Sequence, residues 1–122
     1  MIMAIASCQL TDRVYRVTLS GLLTWAEFQA FLTQTEAENI FASGKVRVLI
    51  QLADFAGWEP GEQWGDIGFF LKHDQDIEKI AVVGDLRWRD EIGIFLFADS
   101  RRAEVGFFPE ADLEPARRWL MS

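Results

Sequence analysis

The chain has 122 residues, the length of one domain, and this length is sufficient to bury a packed core. A hydrophobic content of 50% and a charged content of 25% are typical of a globular protein, which excludes a disordered or fibrous chain. The formal net charge of −7 opposes binding to phosphate, so we expect no nucleic-acid partner. The unusual feature is an aromatic content of ten Phe, five Trp and one Tyr.

Two residue types that carry chemistry occur once each, as Cys8 and His73. A single cysteine excludes an intramolecular disulfide and fits a reducing compartment, so we expect a cytoplasmic protein. The apolar start has no Lys or Arg before Arg13, unlike an export signal. The longest later apolar run, Ile92–Ala98, is much shorter than the roughly 20 residues of a membrane-spanning helix.

The chain begins with a predicted β-hairpin. Ile5–Leu10 forms the first strand, Thr11-Asp12-Arg13 the turn, and Val14–Ser20 the second strand. The alternation of residues in the second strand places three large side chains on one side, as expected for a half-buried strand. These side chains are Tyr15, Val17 and Leu19.

A helix follows the hairpin. Thr24 and Glu27 have the spacing of a capping box, which predicts the start of the helix, and Ser43-Gly44 predicts its end. Val46–Leu52 is almost continuously apolar, which is typical of a strand buried on both faces near the centre of a sheet. The predicted apolar face of the helix consists of Trp25, Phe28, Phe31 and Leu32.

The second half of the chain alternates between helices and strands. Ala53–Pro60 is rich in turn residues, and the helix predicted after it contains Gly65 and Gly68, each of which costs about 1 kcal/mol of helix propensity. The predicted elements after this loop are a helix at Gly61–His73, a strand at Lys79–Gly84, a helix at Leu86–Phe97, a strand at Ala103–Phe107 and a helix at Asp112–Leu120. This order predicts a single α/β domain over residues 1–122, with a mixed β-sheet, an N-terminal antiparallel hairpin and about four helices.

Several local segments resemble one family of small bacterial proteins. These segments are Val48–Trp58 (VLIQLADFAGW), Trp64 with Asp66, Ile77–Asp85 (IEKIAVVGD) followed by Trp88, and Ala116–Leu120 (ARRWL). Together with the element order, they are similar to the SpoIIAA-like (STAS/SEC14-type) family of the STAS superfamily, which also contains the anti-anti-sigma factors. The resemblance covers most of the chain and implies the STAS fold. Lipid-like ligand binding and membrane association have been suggested for this family.

One departure from the anti-anti-sigma factors concerns regulation. Those relatives carry a phosphorylatable Ser at the start of the helix that follows the central strand. Here the corresponding stretch begins at Asp54, and Ser43 is the only Ser or Thr between Thr35 and Ser100. The resemblance therefore implies a related module without the phosphorylation switch, and Asp54 is interpreted as a turn residue in preference to a phosphoserine mimic.

The predicted site lies at the carboxyl ends of the parallel strands, where ligands bind in open α/β sheets. Two predicted loops meet there, Asp54–Trp58 and Gly84–Trp88, and each combines a small or acidic residue with a Trp. Aromatic walls with few polar groups suit an apolar ligand, although helix-spaced aromatic residues are also typical of a core. The candidate ligand-binding residues are Asp54, Trp58, Trp64, Phe69, Gly84, Asp85, Trp88, Ile92 and Phe95.

The predicted helix at Leu86–Ala98 is apolar over more than one face. Ile94 and Phe97 add apolar surface beside the stripe that would cover the sheet. A mobile lid over a pocket, a homodimer interface or a weak peripheral membrane contact would each use such a helix. The acidic net charge ranks the membrane contact below the other two.

Catalytic and metal chemistry have little support in the sequence. His73 is the one candidate histidine base, but no Gly-x-Ser-x-Gly motif is present, and the polar surroundings of His73 predict a solvated helix end. One Cys and one His do not suggest a zinc site. We therefore predict a non-enzymatic module without metal or cofactor that binds an apolar or amphipathic small molecule. The alternative is a homodimeric interaction protein.

Overall fold

A computed structural model of the chain describes residues 4–11, 13–42, 44–65 and 68–122. Within these residues the chain forms five strands, four α-helices and two short 3-10 helices. The strands are β1 (Ile5–Thr11), β2 (Val14–Leu23), β3 (Val46–Trp58), β4 (Ile77–Gly84) and β5 (Glu104–Pro109). The α-helices are α1 (Trp25–Ala37), α2 (Gly68–Lys72), α3 (Arg89–Phe95) and α4 (Leu113–Met121), and the 3-10 helices are Glu62–Gly65 and Leu86–Trp88. The predicted α/β class is confirmed.

The five strands form one mixed sheet in the order β1-β2-β3-β4-β5. β1 pairs antiparallel with β2, as the predicted hairpin requires, and each later neighbouring pair is parallel. Connections between parallel strands are right-handed. Because β2 to β5 lie side by side in the order in which they occur in the chain, the helices that connect them lie on the same face of the sheet. The crossover helices here are α1, α2 and α3, and the opposite face is covered by α4.

The sheet separates two buried clusters of side chains. The first lies on the face covered by α1 and α3, which we call the α1 face, and includes Phe28 and Ile92. The second lies on the face covered by α4, which we call the α4 face. It contains Val14, Leu49, Ala81, Val83, Ala116 and Leu120. Alternate residues of β3 and β4 contribute to the two clusters, as expected for strands that are covered on both faces.

Strand β3 is longer than predicted, because Ala53–Pro60 does not begin as a loop. The strand continues to Trp58, which lies opposite Leu23 of β2. Register shifts accommodate the additional residues of β3, and Asp54 (φ 53°) and Gly57 (φ 104°) adopt the left-handed conformation there. Glycine adopts this conformation freely and Asp tolerates it, so these two residues mark bulges within a strand and not the turn that was predicted.

Three predicted helices are longer than the observed ones. The helix predicted at Leu86–Phe97 consists of the 3-10 helix Leu86–Trp88 followed by α3, which ends at Phe95. Within the helix predicted at Gly61–His73, the described residues form the 3-10 helix Glu62–Gly65 and α2, and Asp66 and Ile67 lie outside the described residues. α1 ends at Ala37 and not near Ser43-Gly44, of which Ser43 lies outside the described residues. Turns follow α1 before β3 begins.

The start of α1 has the predicted capping box. Thr24 Oγ1 accepts a hydrogen bond from Glu27 N at 3.2 Å and donates to Glu27 Oε1 at 3.0 Å. Glu27 Oε2 accepts a further hydrogen bond from Ala4 N at 2.9 Å, which attaches the start of β1 to the helix. Glu59 Oε1 accepts from Trp25 N at 2.6 Å. These bonds satisfy N–H groups that the helix itself leaves unpaired and hold the first turn of α1 against the sheet.

Candidate functional site

The structure brings four of the predicted site residues together in one aromatic cluster. Trp58 contacts Trp88 and Phe95, with ring centroids 6.0 and 5.3 Å apart. Phe95 also contacts Trp64 at 5.9 Å and Phe28 of α1 at 5.2 Å. Tilted and edge-to-face contacts at these distances are favourable aromatic packing. The cluster therefore joins β3, α3 and α1 on the α1 face.

The indole nitrogens of this aromatic cluster have different surroundings. Trp64 Nε1 donates to the backbone oxygen of Glu59 at 2.8 Å. Trp58 Nε1 is buried and has no hydrogen-bond partner within the part of the chain that the structure describes. A buried donor without an acceptor costs about 1 to 3 kcal/mol.

The remaining predicted site residues have structural roles or lie apart from the cluster. Gly84 ends β4, and a Cβ atom there would lie 2.7 Å from Cβ of Leu52, so glycine allows this close contact. The exposed Asp85 accepts a hydrogen bond from Arg87 N at 3.0 Å and caps the 3-10 helix before α3. The others are Asp54, exposed at the bulge of β3, Ile92, buried in the core, and Phe69, whose side chain lies outside the described part of the structure.

An apolar cavity of about 110 Å³ lies between the sheet and α1. Its walls come from β1 to β4, from α1, and from Phe95 and Leu96 at the end of α3. Among the described lining residues, Phe95 is the one that the sequence predicted as a site residue. Six wall residues are the apolar side chains that the sequence placed on one side of β2 and one face of α1, namely Tyr15, Val17, Leu19, Phe28, Phe31 and Leu32.

Arg101 contributes a charged group to the wall of this mainly apolar cavity. Its Nη1 donates to the backbone oxygen of Leu96 at 3.0 Å, just beyond the carboxyl end of α3. Burial lowers the pKa of Arg101, and the negative charge of Asp74 partly opposes this shift. A cation that donates to a carbonyl at the end of a helix stabilises that end, so Arg101 holds α3 in place beside the cavity.

A polar groove of about 540 Å³ adjoins the cavity, between β1 and the second half of α1. Seven residues line both spaces, so the groove and the cavity share a wall. The exposed Cys8 also lines the groove. The polar groups of the groove come mainly from Ser7, Gln9, Arg13, Tyr15, Gln34, Thr35, Glu38 and Asn39.

His73 is buried, so the prediction of a solvated helix end is wrong. Its ring stacks on Phe41 with centroids 4.1 Å apart, Nε2 contacts Glu36 Oε1, and Nδ1 lies 2.8 Å from Asp76 Oδ2. Both ring nitrogens of His73 are therefore in contact with carboxylate oxygens. Hydrogen bonds from His73 and from Lys72 hold the pKa of Glu36 below its ordinary value of 4.5. This His73 cluster ties α1 to the segment before β4.

The described residues offer neither a metal centre nor a membrane-spanning helix. None of their groups of His, Cys, Asp and Glu side chains is arranged to hold a metal ion. No helix formed by these residues has both the length and the apolar character needed to cross a membrane.

One family of known proteins matches most of the chain. The SpoIIAA-like family model aligns with residues 14–121. The chain belongs to the SpoIIAA-like family. A solved structure, of an uncharacterised protein with a SpoIIAA-like fold from Shewanella loihica, is similar with a TM-score of 0.72 and 21% identity. The similarity covers 96% of this chain and 92% of that chain, and at this identity it shows the fold. No curated protein matches the sequence.

Local sequence patterns in this SpoIIAA-like domain predict some features of the site and not others. The alternation in β2 and the apolar face of α1 predicted buried side chains, and six of these line the cavity. The space between the cavity walls depends on how far α1 stands from the sheet, which no local pattern reports. Arg101 and Glu38 belong to no recognisable motif, so their positions at the cavity were not predicted.

Proposed function

We propose that this SpoIIAA-like domain is a non-enzymatic module that binds a small apolar or amphipathic molecule between the sheet and α1. The observation that carries the proposal is the apolar cavity of about 110 Å³. The cavity is partly open to solvent and is lined almost entirely by apolar atoms, as is typical of sites for small apolar molecules. Burial of a ligand there would supply about 25 cal/mol for each Å² of apolar surface.

The size of the cavity limits the ligand. An engineered apolar cavity of roughly 150 Å³ in another protein binds benzene. The cavity of about 110 Å³ therefore suits a small ring or a short alkyl segment, and a long acyl chain does not fit in it. STAS and SpoIIAA-like domains are generally regulatory modules and not enzymes, which supports the non-enzymatic part of the proposal.

Phe95 connects the cavity with the predicted aromatic site. It lines the cavity and its ring contacts Trp58 and Trp64. A ligand that shifts Phe95 would change the surroundings of both indoles and hence their fluorescence. The involvement of Trp58 and Trp64 in ligand binding therefore stays a prediction. In the present proposal they respond to the ligand through their contacts with Phe95.

Titration with benzene tests the proposal, with the backbone amide resonances observed by NMR. We expect saturable shifts in β2, β3 and α1. Val48→Phe places a larger side chain in the cavity wall and should weaken binding at least tenfold. Val105→Phe is the matched control, because Val105 is also partly buried on the α1 face but belongs to β5 and is not among the residues that line the cavity.

The result is decided by the two variants together. Binding that is lost in Val48→Phe and kept in Val105→Phe supports the cavity as the site. Absence of saturable binding to the unmodified protein would contradict the proposal, and so would equal binding to the protein and to Val48→Phe.

A second candidate function is interaction with another protein through the segment around α3. Ile94 is 75% exposed, as expected from the sequence, whereas Phe97, the other residue expected to add apolar surface, is half-buried. Leu86, at the start of the same segment, is 57% exposed. Exposed apolar surface is typical of interaction sites. The SpoIIAA-like fold is compatible with a STAS-type interaction module, either a homodimer or a complex with a different protein.

Light scattering tests this second candidate. A homodimer should dissociate in Ile94→Glu and persist in Leu71→Glu, a matched control because Leu71 is 68% exposed on α2. Phe95→Glu is unsuitable, since Phe95 is packed in the aromatic cluster. A monomeric wild-type protein would contradict the homodimer. Binding of that monomer to lipid vesicles, if lost in Ile94→Glu, would favour the peripheral membrane contact.

A further inference from the structure

The cavity and the groove form adjoining compartments of opposite character. The cavity is lined almost entirely by apolar atoms, whereas most of the exposed surface of the groove is polar. Ser7, Tyr15 and Thr35 are among the residues that line both, so hydroxyl-bearing residues form part of the shared wall. A molecule that extends across this boundary would have one apolar end and one polar end.

Hydrogen-bonding groups without charge dominate the groove. Thr35 Oγ1 donates to the backbone oxygen of Phe31 at 2.9 Å, and its oxygen retains the capacity to accept. Gln34 Nε2 donates to Glu38 Oε1 at 3.0 Å, which leaves the side-chain oxygen and a second N–H of Gln34 for other partners. Both donors and acceptors are therefore present, as recognition of hydroxyl groups requires.

The charges of the groove favour neither anions nor cations. Its described lining contains one cation, Arg13, and one anion, Glu38. The net charge of −7 disfavours approach of an anion to the protein as a whole. A charged head of either sign would lose its hydration and meet one like and one opposite charge, which offset each other. An uncharged head can replace its water contacts with amide and hydroxyl groups.

We propose that the ligand is a small amphiphile whose short apolar segment occupies the cavity and whose uncharged, hydroxyl-bearing head binds in the groove between β1 and α1. The apolar segment rests on the proposed function, and the position and chemistry of the head are added here. The cavity of about 110 Å³ limits the buried segment to a small ring or a short alkyl chain, so the head remains close to the boundary.

Four probes test the head independently of the apolar segment: benzene, hexyl β-glucoside, hexanoate and hexylammonium. We expect hexyl β-glucoside to bind at least tenfold more tightly than either charged hexyl compound. Gln34→Ala removes a groove side chain outside the cavity and should weaken hexyl β-glucoside about fivefold, as expected for one hydrogen bond, without changing the affinity for benzene. Gln75→Ala is the control, because Gln75 is also exposed but lies in the turn before β4.

The outcomes separate this inference from the proposed function. If benzene binds but hexyl β-glucoside has no advantage over hexanoate and hexylammonium, the head site is refuted and the cavity remains supported. The same conclusion follows if Gln34→Ala and Gln75→Ala have equal affinities for hexyl β-glucoside. If neither benzene nor any hexyl compound binds, the proposed function itself fails.

Discussion

The α1 face and the α4 face of the sheet differ in the side chains that separate helix from strand. On the α4 face, Ala81 and Ala116 are fully buried, and a Cβ atom at Gly106 would lie 3.2 Å from the ring of Trp119. Small residues on both surfaces let α4 pack closely on the sheet. On the α1 face, large aromatic rings from α1, β3 and α3 lie between the layers, and a cavity remains among them.

The two faces also differ in how their helices are held at the ends. Arg47 Nη1 donates to the backbone oxygen of Leu120 at 2.6 Å, and Lys79 Nζ donates to that of Trp119 at 3.0 Å. These cations satisfy carbonyl groups at the carboxyl end of α4 directly from the sheet. The carboxyl end of α1 is instead held through Glu36 by the His73 cluster, which belongs to the connection before β4.

This contrast shows where the aromatic residues of the chain are used. A compact face needs small side chains, and the α4 face has them. The α1 face uses rings, which pack favourably against one another but do not fill every space between a helix and a sheet. We infer that the α4 face is the more closely packed of the two, whereas the α1 face leaves the space that we propose for a ligand.

We expect the largest difference between the two faces when a buried side chain is enlarged. The loss of stability should be greater on the α4 face. Ala116→Leu adds carbon atoms where no space remains and should lower the free energy of unfolding by about 1 to 3 kcal/mol. Val48→Phe adds a larger side chain beside the cavity, and the cavity has space for the added ring. The free energy of unfolding should therefore fall by less than about 1 kcal/mol. Urea denaturation measures both values, and equal costs would show that the two faces are packed alike.

A smaller effect, dependent on pH, is expected from the His73 cluster on the α1 face. The pKa of Glu36 is lower than its ordinary value of 4.5, since His73 and Lys72 donate hydrogen bonds to the carboxylate. A carboxyl group with a lowered pKa in the folded state adds stability above its unfolded pKa and loses it as the pH falls through the folded pKa. Glu36→Gln should therefore be less stable than the wild-type protein at pH 7, and the difference should shrink below pH 4.5.

Denaturation curves between pH 7 and pH 3 measure this difference, with Glu38→Gln as the control two residues further along the chain. Glu38 accepts a hydrogen bond from Gln34 and lies outside the His73 cluster. A difference between Glu36→Gln and the wild-type protein that does not change with pH would contradict a role of the ionised carboxylate.

The sequence was sufficient to predict the order of strands and helices, the hairpin and the capping box of α1. These features depend on residues within a few positions of each other, such as Thr24 and Glu27. It was not sufficient for the bulged end of β3, because Asp54 and Gly57 favour positive φ angles that occur in turns and in bulges alike. Pairing with β2, which decides between the two, is a tertiary contact.

The environment of His73 shows the same limit more clearly. Its neighbours in the sequence are polar and predict a solvated position. Its partner Glu36 is 37 residues away, and the stacked ring of Phe41 comes from the segment after α1. Burial of a histidine between two carboxylates therefore depends on how α1 and the connection before β4 meet, which no local pattern encodes.

The position of Cys8 has a practical consequence for following ligand binding. It is the single cysteine of the chain, it is exposed, and it lines the groove. A thiol-reactive fluorophore would thus attach at one known point beside the proposed head site. Fluorescence from this point would report occupancy of the groove, whereas the emission of the native tryptophans would report changes around Phe95. Because the two signals have different wavelengths, binding of the polar head and of the apolar segment could be followed separately in one experiment.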